Sequence, residues 1–115
     1  MFDEMSLMGS TRICKSGRNQ EQIDEEVQPS DFGFNIADVK DLQGGDAVAN
    51  AKILEEILDG REKGVKRDMV LLNAAAAMTC AGLADNLEDG LIKGREVIAD
   101  GSAFERLRLL KEISA

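Results

Sequence analysis

A chain of 115 residues, 43% of them hydrophobic, can bury one core and has no room for two ordinary domains, so residues 1–115 are read as a single unit. Its 14 basic and 22 acidic residues give a formal net charge of -8; this repels a phosphate backbone and an anionic membrane surface alike, and excludes nucleic acid and membrane as expected partners. Histidine, tryptophan and tyrosine are absent, which removes the commonest general base and transition-metal ligand and leaves no platform for stacking bases.

The first ten residues, MFDEMSLMGS, place two adjacent carboxylates, Asp3 and Glu4, near the start. They have no apolar run of the kind a signal peptide needs, so a cytoplasmic protein is expected. Adjacent acids are a hard-oxygen pair of the kind that holds a magnesium ion together with substrate phosphates, but in a chain this acidic they also arise by chance. Ser6, Ser10 and Thr11 add hydroxyls nearby without a base to activate them. No set of nucleophile, base and orienting group can be assembled, so the residues alone leave the doublet's role open.

Thr11 to Lys15 and Gln22 to Val27 have β-branched or alternating character on either side of the polar SGRNQ. This predicts a hairpin over residues 11–27 with Ser16, Gly17 and Asn19 near its tip. Glu21, Asp24, Glu25 and Glu26 make the second strand acidic, which protects an exposed edge from pairing with other chains. Cys14 and Cys80 form no CxxC and are expected as reduced thiols. Pro29 ends the strand, and PSDFGFN predicts a turn that tucks Phe32 and Phe34 against the core. A short helical turn over Ile36–Leu42 follows.

Gly44-Gly45-Asp46 opens a helix expected over about 46–59, with Asp46 as N-cap and Gly60 just past its end. Val48, Ala51, Leu54 and Leu58, with Ile53 and Ile57, form its apolar face. The two glycines invite a phosphate-loop reading. However, the Asp46 carboxylate would occupy the free amides and repel a phosphate, and neither GxxxxGK nor GxGxxG is present. A turn with an N-cap is therefore the reading. The charged run Arg61–Arg67 is expected as a solvated connector.

DMVLLNAAAAMTCAGLA, Asp68 to Ala84, is apolar in nearly every direction around a helix, which predicts a buried central pillar over about 68–82. It is too short, and with Asn73 too polar, to cross a bilayer. Gly82-Leu83 suggests a Schellman stop whose leucine folds back. Asn86 with Asp89 caps a helix over about 87–100, in which Leu91, Gly94 and Ile98 share a face. Gly90 and Gly94 cost about 1 kcal/mol each inside a helix, and the sequence leaves open whether they mark close packing or tolerated surface positions. Ser102 with Glu105 reads as a capping box for a last helix over about 103–114, with Phe104, Leu107, Leu110 and Ile113 facing inward. The sum is a β-hairpin followed by about four helices around a buried central helix.

The succession FDEMSLMGSTRI, PSDFGF, LQGGDAVANAKILEEILDG, KRDMVLLNAAAAM and AGLADNLEDGLIKGREVIADGSAFERLRLL resembles the C-terminal part of the anthranilate phosphoribosyltransferase family. The likeness covers the whole chain, and GGDAxxNAxIL followed by DxVLLNAAAA makes it specific. It implies an α/β fold, the C-terminal portion of the catalytic domain shared by nucleoside phosphorylases and these phosphoribosyltransferases. It also implies a cytoplasmic pentosyltransferase (a glycosyltransferase) of tryptophan biosynthesis, moving phosphoribose from phosphoribosyl pyrophosphate to the amine of anthranilate. Members are homodimers with a small helical domain beside the larger α/β domain.

The family's Asp-Glu pair, which binds Mg2+ carried with the pyrophosphate, matches Asp3 and Glu4, followed here by Ser6 and by Gly9-Ser10-Thr11. A metal there would neutralise the departing pyrophosphate as positive character grows at the ribose carbon. The family's phosphate loop, its Lys-His-Gly-Asn-Arg segment and its anthranilate-contacting residues precede that pair, and this chain begins at the pair. The resemblance therefore assigns no catalytic or substrate-binding residue to this chain. Its implication is a fragment, inactive alone, that does not hold Mg2+ by itself. The alternatives are half of a split enzyme, docking with an upstream half through its apolar surface, or a non-catalytic helical interaction module. Self-association is expected because the pillar is built to sit against a sheet. Met1 and Phe2 stand where members usually have Gly-Leu, which suggests an internal start or a truncated frame.

Overall fold

Residues 3–10 form no regular element, yet they begin the core, because alternate side chains turn inward: Met5 and Leu7 are buried while Asp3 and Glu4 are exposed. The computed structural model describes residues 3–17 and 20–115; the readings placed on Met1, Phe2 and Asn19 lie outside them. Strands β1 (Thr11–Gly17) and β2 (Gln20–Val27) follow as an antiparallel hairpin, in register from Thr11 opposite Val27 to Gly17 opposite Gln20, with one shift between Lys15 and Gly17. The acidic β2 is answered across the ladder, where Arg12 binds Asp24 and Lys15 binds Glu25 at 2.7 Å. Ile13 and Val27, at the base of the hairpin, pack against the core.

A 3-10 turn over Pro29–Phe32 ends on Gly33, whose φ of 78° suits a residue without a Cβ. Phe34 is buried and Phe32 packs beside it, as the turn chemistry led us to expect. Helix α1 spans only Val39–Leu42, because the Ala37 N–H is taken by the Leu7 carbonyl at 2.9 Å and Asp38 serves as N-cap. Ile36, expected inside that turn, is exposed instead.

Helix α2 (Ala47–Leu58) starts at the expected cap, with the Ala49 N–H donating to Asp46 Oδ1 at 2.9 Å. Its expected apolar face is not covered: Ile57 is buried, but Val48 is 80% exposed and Leu54 lies open. The side of α2 that carries Ile53 and Leu54 opens onto a groove of ≈ 380 Å³ shared with Leu42, Met69 and Val70.

Helix α3 (Val65–Cys80) begins three residues before the expected Asp68, since Gly64 takes the N-cap position. The last residues of the supposed connector, Val65 to Arg67, are therefore helical. The central expectation, burial on every side, also needs correction. Leu71, Leu72 and Ala75 are buried along one stripe, while Val70, Ala77 and Cys80 are exposed, because α1, α4 and the N-terminal segment cover one side and solvent meets the other. The Schellman bonds form, with Gly82 N–H to the Thr79 carbonyl at 3.2 Å and Leu83 N–H to the Met78 carbonyl at 2.8 Å. Leu83 itself does not fold back, being 66% exposed; Ala84 is the residue buried there.

Helix α4 (Leu87–Ala99) is capped by Asn86, whose Oδ1 accepts from the Asp89 N–H at 2.8 Å. Its glycines prove to be packing glycines, since a Cβ at Gly94 would lie 2.9 Å from Leu71 Cδ2 and one at Gly90 would press on the Ala75 backbone. Helix α5 (Ser102–Ser114) departs most from expectation. Gly101, at φ 83°, is its N-cap and Ser102 lies already inside the helix, so no capping box forms. Glu105 binds Arg108 instead. Phe104 and Leu107 are half-buried, whereas Leu110 and Ile113 face solvent, since α5 packs chiefly against α2 and α4. Lys111 pairs with Glu55 to tie α5 to α2.

The radius of gyration is 15.2 Å, against about 13 Å for a compact chain of this length. No described helix is long and apolar enough to cross a membrane.

Candidate functional site

The acidic doublet sits where the chain first meets the helical layer. Asp3 and Glu4 form an exposed bend, and the next residue is clamped to α3. The Met5 N–H donates to Asn73 Oδ1 at 2.9 Å, and Asn73 Nδ2 donates back to the Met5 carbonyl at 2.9 Å. The same Nδ2 also donates to the Met69 carbonyl, one turn earlier in α3, at 3.0 Å. Beyond the clamp, Ser6 Oγ accepts from the Met8 N–H at 3.0 Å, closing a tight turn before Gly9-Ser10-Thr11 enters β1. The structure thus brings Asp3, Glu4, Ser6 and Asn73 to one region. The sequence treated Asn73 only as a polar interruption in an apolar helix. A lone carboxamide on the packed side of a helix must find partners, and that signal could have marked it.

Two neighbouring carboxylates can supply one or two of the six oxygen ligands that magnesium prefers, with waters and phosphate oxygens completing the octahedron. Among the described residues no group of three or more acidic, Cys or His side chains converges on one point. Two carboxylates are too few for a protein cage, so a hard cation at such a pair would take its remaining oxygens from elsewhere.

The other sequence candidates resolve otherwise. At Gly44-Gly45-Asp46 the Gly45 N–H is bonded to Asn50 Oδ1 at 2.8 Å, Asn50 Nδ2 donates to the Gly45 carbonyl at 3.1 Å, and Asp46 takes the Ala49 amide. The Gly45 and Ala49 amides are thus taken by Asn50 and Asp46, as in the turn and cap expected. Cys14 and Cys80 are free and exposed. A cavity of ≈ 400 Å³ is lined by Asp59, Lys63, Arg67 and Arg95, and most of these charges are engaged. Arg61 binds Asp59 at 2.6 Å and holds that carboxyl below its ordinary range, Arg67 binds Asp68 at 2.8 Å, and the Arg95 guanidinium lies 5.8 Å from the centre of the Phe34 ring.

Comparison with known proteins places this geometry in context. The family model for the glycosyl transferase family, a/b domain, matches residues 2–104. An anthranilate phosphoribosyltransferase of Anaeromyxobacter dehalogenans is 43% identical over 109 residues, covering 95% of this chain and 32% of that relative. Another from Acetivibrio thermocellus is 40% identical over 106 residues, covering 92% of this chain and 30% of its own length. The solved anthranilate phosphoribosyltransferase of Thermus thermophilus superposes with a TM-score of 0.80 at 32% identity, covering 93% of this chain and 31% of that one. The Saccharomyces cerevisiae enzyme, solved in complex with 4-fluoroanthranilate, gives 0.79 at 25% identity, with the same shares of both chains. The chain spans about a third of the length of the curated relatives it matches.

Proposed function

Because this chain belongs to the glycosyl transferase family through its a/b domain, we propose that it supplies the C-terminal part of an anthranilate phosphoribosyltransferase. The reaction is transfer of phosphoribose from phosphoribosyl pyrophosphate to the amine of anthranilate, in cytoplasmic tryptophan biosynthesis. Asp3 and Glu4 are the contribution of this chain to that chemistry. They hold Mg2+ brought with the pyrophosphate, and the metal supplies the charge that lets pyrophosphate depart. The observation that carries the reading is the match of 43% identity over 109 residues, together with an exposed acidic doublet that directly precedes Met5, the residue Asn73 of the central helix binds.

We expect the chain by itself to be inactive, because it spans about a third of the length of the relatives it matches and neither the ≈ 400 Å³ nor the ≈ 380 Å³ cavity is lined by Asp3 or Glu4. Purified protein mixed with phosphoribosyl pyrophosphate, Mg2+ and anthranilate should leave anthranilate fluorescence unchanged; a steady fluorescence loss would refute inactivity.

A second reading, half of a split enzyme, draws support from the surface. The accessible area is 8068 Å², about 1,900 Å² more than a compact monomer of this mass exposes. On this partner alone that excess is more than twice the roughly 800 Å² per side of a standard interface and falls in the range of obligate ones, and the groove between α2 and α3 presents Leu42, Ile53, Leu54, Met69 and Val70. A polypeptide supplying the remaining two thirds of the family sequence would dock there. Co-expression with that portion from a relative should give a complex that survives gel filtration, and separate elution would count against the split arrangement.

A further inference from the structure

We propose that Asn73 is the positioning residue of the acidic doublet: its carboxamide fixes the backbone at Met5 and thereby sets where the Asp3 and Glu4 carboxylates stand against α3. The idea rests on reading Asp3 and Glu4 as cation-holding groups. Residues 3–10 belong to no helix or strand, so nothing in their own secondary structure orders the doublet. The next long-range backbone tie comes two residues later, from the Ala37 N–H to the Leu7 carbonyl. At Met5 both backbone groups are instead satisfied by one side chain 68 positions away.

The carboxamide acts here as a substitute peptide group, giving and receiving one hydrogen bond as a neighbouring strand would. Its second N–H bond, to the Met69 carbonyl, sets its rotamer from within α3. On the same helix Leu71 and Leu72 are 1% and 2% exposed, so the anchor cannot slide without opening the core. Rigid helix, oriented carboxamide and clamped peptide thus form one chain of support ending at Glu4. Holding two carboxylates in place before a cation arrives removes an ordering cost from binding.

The test uses the 115-residue chain labelled with nitrogen-15, and Mn2+ added together with inorganic pyrophosphate as the probe, because two carboxylates share such an ion with phosphate oxygens. Wild type, Asn73→Ala, Asn73→Ser and Leu91→Ala are compared; the last removes a core side chain from α4 without touching the clamp. Loss of the clamp should speed hydrogen exchange at the Met5 amide by about tenfold relative to the α3 core amides. It should also raise the Mn2+ concentration that half-broadens the signals of residues 3–6 by about threefold or more. Leu91→Ala should lower general stability and leave the Mn2+ midpoint where it is. Asn73→Ser must move both readouts in the same direction if Asn73→Ala does not fold. Unchanged Met5 exchange in the Asn73 variants would overturn the clamp. Equal Mn2+ midpoints, with broadening centred on residues 3–6, would overturn the positioning role. Wild type without any broadening there would refute the cation reading alone, while Met5 exchange would still judge the clamp.

Discussion

Gly90 of α4 lies against the backbone of Ala75 in α3, so close that a Cβ at position 90 would stand 2.7 Å from the Ala75 Cα and 2.9 Å from its carbonyl oxygen. Neither atom can move aside, because both belong to a packed helix. Replacing Gly90 by Ala should therefore destabilise the fold by about 1–3 kcal/mol through overpacking, despite the roughly 1 kcal/mol that Ala gains over Gly in a helix interior. Gly94→Ala meets only the tip of Leu71 at 2.9 Å, which can rotate, and should stay within about 1 kcal/mol of wild type. Urea denaturation midpoints separate the two; a Gly90→Ala protein as stable as the parent would refute the contact.

The helix caps give a second contrast. Asp46→Ala removes the carboxylate that accepts the Ala49 amide and should cost about 1 kcal/mol. Ser102→Ala, at a residue the structure places inside α5, should change stability by less than about 0.5 kcal/mol. Thermal melts of both variants decide it, and equal losses would restore Ser102 as the cap.

Core burial sets a third expectation. Leu71, 1% exposed, should cost about 2–5 kcal/mol when cut to Ala. Ile113, 82% exposed, should cost under about 0.5 kcal/mol. A large loss for Ile113→Ala in the isolated chain would show that α5 packs otherwise.

Acid should weaken the start of α4. The Lys93 ammonium, 2.8 Å from Asp89 Oδ2, holds that carboxyl below its ordinary value of 3.8, with the Asp85 N–H assisting. A carboxyl whose folded pKa lies below its unfolded one adds stability that is complete above the ordinary aspartate range and is lost as pH falls through the folded value. The difference in melting temperature between wild type and Lys93→Met should thus shrink below about pH 4. A difference that stays constant down to about pH 3 would contradict the linkage.

Local chemistry was legible in the sequence wherever it is settled within a few residues. Asp46, Asn86, Gly60 and Gly82 sit at helix ends as their side chains or missing Cβ atoms require. What failed depended on neighbours. The all-round apolarity of α3 implied a cover on every side, but the elements of this chain cover one, so Val70 and Cys80 remain open. The inward faces assigned to α2 and α5 failed for the same reason, since Val48 and Ile113 have no element above them. Periodicity tells which face a helix could bury; it does not supply what buries it. Asp3 and Glu4 stood out as a pair of acids, but their anchor at Asn73 crosses most of the chain, a distance that short-range patterns do not span.

The most direct trial of this account is an anthranilate fluorescence assay in which the 115-residue chain is mixed with a polypeptide supplying the rest of the family sequence, alongside Asp3→Asn and Glu4→Gln variants. We expect no turnover from either component alone, turnover from the mixture, and its loss with each acidic substitution. Turnover by the chain alone, or a mixture whose rate ignores both substitutions, would contradict the claim that this chain brings the metal-holding acids to an otherwise separate site.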